Sequence, residues 1–164
     1  MTHLLRTAAL ALALLAPALL SSCQTTNTPE WQGIQSSRVA MQNEIKTEPP
    51  GDYFIGRRVY KREYKFWGYV RRPGQPWSTA ELVMMNEQNK LAPDREQGSI
   101  GSDNDYEYKL LGEFSGQKVY EPASNGQYPE FNLKGYELRS VSPAKIFNVA
   151  GATDPSRRIV ARPY

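Results

Sequence analysis

The chain has 164 residues, 20 Lys and Arg against 17 Asp and Glu, and 40% hydrophobic residues, giving a formal charge of +3. That length suits one domain with tails, and so even a charge balance singles out no nucleic acid partner. The exclusions are sharper. His3 is the sole histidine and Cys23 the sole cysteine, so a Ser-His-Asp or Cys-His nucleophile system is not expected, nor a zinc, iron or copper site built on His and Cys. No glycine-rich phosphate loop is present, and no cofactor or metal is expected.

Arg6 precedes Ala8 to Leu20, a run made almost wholly of Ala and Leu. It suits a secretory signal and falls short of the about 20 apolar residues of a spanning helix. The run closes on Leu20-Ser21-Ser22-Cys23, which resembles the lipobox of bacterial lipoproteins. The resemblance covers these first residues only. It implies that residues 1–22 are removed, that Cys23 carries a diacylglycerol thioether, and that the membrane is a partner through that lipid. In that family Asp after the Cys favours the inner membrane. Gln24 stands there, which implies a bacterial envelope protein held at the outer membrane.

Residues 23–50 read as a tether. Gln24 to Pro29 is too polar to bury a core. Ile34, Arg38, Met41 and Ile45 fall at near-helical spacing, so 34–46 forms either a short helix or a disordered spacer. Pro49-Pro50-Gly51 stops it.

Residues 51–148 read as a β domain. Tyr53 to Ile55 leads into Val59-Tyr60, and Phe66 and Val70 alternate against Lys65, Trp67, Tyr69 and Arg71. Pro73 to Pro76 turns the chain, and Ala80 to Met85 is a short apolar strand. The polar stretch 86–104 reads as a structureless loop. Tyr106, Tyr108, Leu110, Gly112 and Phe114 hold the cleanest period-two pattern, which Ser115-Gly116 turns back into Val119-Tyr120. Asn125-Gly126 announces a hairpin into Glu130 to Val141. Apolar parity there flips across Gly135, from Phe131 and Leu133 to Tyr136 and Leu138, which predicts a β-bulge. Six or so short strands bent at glycines indicate an all-β fold: a small antiparallel β-barrel of the OB or SH3-like kind, or a curved sheet. Residues 149–164 read as a polar basic tail.

The segment 51–77 gathers aromatic rings and seven cations, Arg57, Arg58, Lys61, Arg62, Lys65, Arg71 and Arg72, against Asp52 and Glu63. Alternation puts Lys65, Trp67, Tyr69 and Arg71 on one face. With Trp77 they form a candidate binding face for an anionic glycan, another envelope polymer or a protein partner. An aromatic core with a solvated basic rim is the competing reading. Ser142-Pro143-Ala144-Lys145 and Ser102-Asp103-Asn104 match two penicillin-binding motifs, but in reversed order and without the third, so they read as chance. No catalytic residue is assigned, and the expectation is a non-catalytic binding or scaffolding domain. The alternatives are a carboxylate-based hydrolase of envelope polymer, drawing on Glu81, Glu113, Glu121, Glu130 or Glu137, and a subunit of an envelope assembly.

Overall fold

A computed structural model describes residues 29–164, with side chains from residue 32. The segment 1–22 and Cys23 lie outside the described residues. The chain divides into two units at Ser36 and Ser37. The barrel belongs to the second unit, Ser37–Tyr164.

In chain order the elements are α1 (Pro29–Lys46), β1 (Phe54–Arg58), β2 (Gly68–Arg71), a 3-10 turn (Trp77–Thr79), β3 (Glu81–Asn86), α2 (Pro93–Glu96), β4 (Glu107–Glu121) and β5 (Gly126–Ser140). Among the described residues no helix is long and apolar enough to cross a membrane. The five strands close into a barrel in the order β1-β2-β3-β5-β4. All pairings are antiparallel except β3 with β5, which is parallel through Met84–Glu130 to Asn86–Asn132. This is the Greek-key order of the OB kind of barrel.

Two cores share the barrel wall. Inside lie Phe54, Trp67, Val70, Val83, Tyr108, Leu110, Phe131 and Leu133. Phe54 meets Phe131 and Phe114 edge to face at 5.0 and 5.5 Å, the arrangement that ring quadrupoles favour. Gly56 makes room here, since a Cβ would lie 2.5 Å from Leu110 and 2.9 Å from the Trp67 ring. Outside the wall, Ile55, Val59, Phe66, Tyr69 and Trp77 pack with Met41 and Ile45 of α1 and with Ile146, and Phe147 and Tyr164 lean on that cluster.

Several sequence expectations held. The inward set Tyr108, Leu110 and Phe114 keeps its period. The hairpin turns at Asn125, whose φ is +49°. Leu111 pairs with Gly135 and Gly112 with Leu133, so one β5 residue is extra and the predicted bulge sits there. Others need correction. Ser115-Gly116 does not end a strand; it is a register shift inside the 15-residue β4, because β5 runs alongside throughout. The count among the described residues is therefore five strands, with one parallel contact. The tether is helical to Lys46 and joins the fold through buried Met41 and Ile45. Residues 149–164 are not a solvated tail. Ala152 and Ala161 are buried, Lys61 Nζ donates to the Asp154 carbonyl at 2.8 Å, and the Tyr69 hydroxyl donates to the Ala161 carbonyl at 2.7 Å.

The 86–104 loop is likewise fastened. Arg58 donates to Asp94 at 3.0 Å and faces Asp103 at 3.4 Å, all three side chains being buried. Asp94 also accepts from the Gly101 N–H at 2.8 Å. Two carboxylates against one arginine leave excess negative charge in the interior. Burial accordingly pushes the Asp103 carboxyl up, with Arg58 opposing it.

Candidate functional site

A cleft of about 200 Å³ opens where α1 crosses the outer wall. Its apolar side is Met41, Ile45, Trp77, Pro143 and Ala144, and its polar side includes Glu44, Glu48, Arg57, Arg71 and Glu107. The chain delivers these groups by simple means. Pro49-Pro50 ends the helix region just past Glu48. Outward parity on β1 and β2 presents Arg57 and Arg71. The 3-10 turn lays Trp77 beneath them, with the Arg71 and Arg57 guanidinium carbons 4.5 and 5.5 Å from its ring.

The charges interlock. Arg71 grips Glu48 through two parallel bonds of 2.6 and 2.7 Å, the bidentate geometry that suits a buried guanidinium. Glu48 also accepts from the Gly74 N–H at 2.8 Å and from Arg139 at 3.0 Å. Burial alone would raise the Glu48 carboxyl, but the bonds from Arg71, Gly74 and Arg139 outweigh it and hold the group below its ordinary range. Arg139 reaches Glu107 at 3.2 Å, and Arg57 reaches Glu107 at 3.0 Å and Asp105 at 3.1 Å. Glu44 stands 3.8 Å from Arg139 at the mouth. Burial pushes Asp105 up, and Arg57 pulls it back.

Three arginines thus meet four carboxylates, and every carboxylate already faces a cation. Ser140 and Ser142 line the cleft, yet the Ser140 hydroxyl accepts from the Ser142 N–H at 3.2 Å, and among the described residues there is no histidine to activate either. Ser142 borders this cleft, while Asp103 faces Arg58. Among the described residues no group of three His, Cys, Asp or Glu side chains is placed to hold a metal ion. Four of the five glutamates considered for a hydrolase are also engaged: Glu113 with Lys134 at 3.0 Å, Glu137 with Lys109 at 3.7 Å, Glu130 with Asn86 at 2.9 Å, and Glu121 with the Ser124 N–H at 2.7 Å. Glu81 is exposed.

The expected binding face does not exist as one exposed surface. Lys65 is exposed, but Trp67, at 3% exposure, points into the barrel. Tyr69, Arg71 and Trp77 point outward and are covered, Trp77 to 1%. Alternation fails at Gly68, where a Cβ would stand 2.1 Å from the Arg57 carbonyl. The backbone there makes the close approach that closes β1 on β2, and Trp67 rotates to the other side of the wall. Burial pushes the Tyr69 hydroxyl up to about 12. Arg71 and Trp77 do come together, in the cleft. Glu48, Arg57, Glu107 and Arg139 escaped the sequence reading. Arg57 appears there only among the seven cations of 51–77, and pairing across the barrel sets the rest.

No protein-family model matches this chain, and no curated protein or solved structure is significantly similar to it.

Proposed function

We propose that the chain is an exported, lipid-anchored protein of a bacterial envelope whose barrel is a non-catalytic binding or scaffolding module. The observation that carries the non-catalytic part is the interlocked cleft. A general acid or base must exchange protons near the working pH. Glu48, held below its ordinary range by Arg71, Gly74 and Arg139, is poorly suited to that exchange, and its pairs tie α1 to the wall. The anchor rests on Leu20 to Cys23 and on the polar residues after it. Each buried lipid methylene contributes about 0.8 kcal/mol, so two or three acyl chains hold firmly where one does not. The partner is another envelope component, polymer or protein.

Metabolic labelling with palmitate tests the anchor. Wild type should be labelled and Cys23→Ser should not; an unlabelled wild type that stays soluble after lysis refutes the anchor. Zymography on peptidoglycan tests the non-catalytic part. Clearing by wild type that disappears in Glu107→Gln would establish a carboxylate hydrolase instead.

A further inference from the structure

We propose that the β1–β2 loop and the C-terminal segment form a basic face that docks on the anionic headgroups of a phospholipid membrane. The anchored reading supplies the membrane; the charge pattern is independent of it.

The two segments are built together. The Arg62 N–H donates to the Pro155 carbonyl at 3.0 Å. The Tyr64 hydroxyl donates to the Arg158 carbonyl at 3.3 Å, and Arg158 also pairs with Glu63. Lys61, buried beneath, holds the Asp154 carbonyl. Arg162 follows Ala161, whose carbonyl takes the Tyr69 hydroxyl. The surface so formed exposes Arg62, Lys65, Arg157, Arg158 and Arg162. The acids among them are Glu63, held by Arg158, Asp154, which accepts from the Ser156 N–H at 2.8 Å, and buried Glu121, which accepts from the Lys65 N–H.

Elsewhere much of the surface charge is matched. Arg72, Lys90, Arg95, Lys109 and Lys134 each face a carboxylate. Among the described residues Arg62, Lys65, Arg157 and Arg162 stand in no ion pair and all belong to these two segments, whereas the other exposed lysines without one, Lys46, Lys118 and Lys145, lie apart in the chain on α1, on β4 and past β5. Four unpaired cations on two segments that are bonded together concentrate positive charge there, and each cation near an anionic surface strengthens attachment on the order of fivefold. Val160 decides between a membrane and a soluble polyanion. It is 41% exposed and lies between Arg158 and Arg162 in the chain. An apolar side chain among cations suits the boundary between headgroups and acyl chains.

The test uses residues 24–164 without lipid, which keep the whole unit Ser37–Tyr164 and both cores. Sedimentation with phosphatidylcholine vesicles is compared with and without phosphatidylglycerol, at low and high salt. Binding should require phosphatidylglycerol and weaken with salt. The variant Arg62→Glu/Lys65→Glu/Arg162→Glu should lose affinity by roughly tenfold or more. Single Lys65→Glu, at an exposed position, should lose a smaller part of it, and serves alone if the triple variant melts early. No binding to phosphatidylglycerol vesicles overturns the proposal. So does binding that the substitutions leave unchanged, or preference for dextran sulfate over vesicles. None of these outcomes bears on palmitate labelling of Cys23, so the anchor and this face stand or fall separately.

Discussion

Removing the Glu48 carboxylate should be among the most damaging single changes in this domain. In Glu48→Ala, Arg139 keeps Glu107 and Glu44. Arg71 keeps only the Arg72 carbonyl at 3.3 Å and the Trp77 ring at 4.5 Å. Its side chain is 1% exposed, so a buried cation is left without a counter-charge, which costs about 3–5 kcal/mol. A domain of this size is stable by about 5–15 kcal/mol. With a urea slope near 2 kcal/mol/M, the unfolding midpoint should fall by about 1.5–2.5 M. Glu48→Leu combined with Arg71→Met should recover most of the loss, because an apolar pair of similar volume removes the stranded charge. The pH dependence has a definite sign. The folded Glu48 sits below its ordinary 4.5, so its stabilisation is complete above that value and is lost as pH falls through the folded value. Melting followed from pH 6 downward should show this loss in wild type and a flatter profile in Glu48→Gln. A Glu48→Ala midpoint within about 0.5 M of wild type, at unchanged slope, would refute the argument that Arg71 is truly sequestered.

Other substitutions probe the rest of the frame. Trp67→Ala should cost about 3–5 kcal/mol in urea unfolding, since its ring fills the barrel beside Tyr108 at 6.2 Å; a near-neutral result would return it to the surface. Gly68→Ala should cost at least about 2 kcal/mol, because its Cβ would meet the Arg57 carbonyl at 2.1 Å; wild-type melting would show that β2 can shift. Asp103→Asn should show the opposite slope to Glu48. Its folded carboxyl sits above the ordinary 3.8, so the wild type loses stability as pH rises through the folded value, while the Asn variant does not and should be at least as stable at pH 7. A lower melting temperature for Asp103→Asn at pH 7 would mean that Arg58 needs both aspartates. Deleting 149–164 should lower the melting temperature, since Lys61 and Tyr69 lose their acceptors; unchanged melting would restore the solvated tail.

The sequence disclosed what depends on neighbours along the chain. Period two in Tyr108, Leu110 and Phe114 set an inward face, Asn125-Gly126 set a hairpin, and the parity flip at Gly135 set a bulge, because each is a local property of a strand or turn. It did not disclose what depends on the barrel closing. Trp67 looked like a partner of Tyr69 because alternation is assumed unbroken, and Gly68 broke it. Glu48 looked like part of a tether because nothing nearby needs it. Arg71 lies 23 positions on and reaches it only when β2 lies under α1. Residues 149–164 looked solvated because the members that become buried, Ala152 and Ala161, are small. Their backbone carbonyls do the work, and composition does not reveal carbonyls.

That last point bears on where this barrel can recognise anything. OB barrels take ligands on the face of strands two and three and on the loops that flank it. Here that face carries Tyr69, Arg71, Leu82 and Met84, and it is roofed by Met41, Ile45, Ile146, Phe147 and Tyr164. A polymer could reach it only by displacing α1 and the C-terminal segment, breaking the Glu48–Arg71 pair and the Tyr69 bond to Ala161. Each of those losses leaves a buried polar group unmatched. Recognition is therefore cheaper at the periphery, where Arg62, Lys65 and Arg162 are exposed without ion pairs. The same segment that removes the strand face from use brings Arg157, Arg158 and Arg162 beside the β1–β2 loop. Covering the wall and charging the rim are thus two consequences of one folding choice, the return of residues 146–164 across β2.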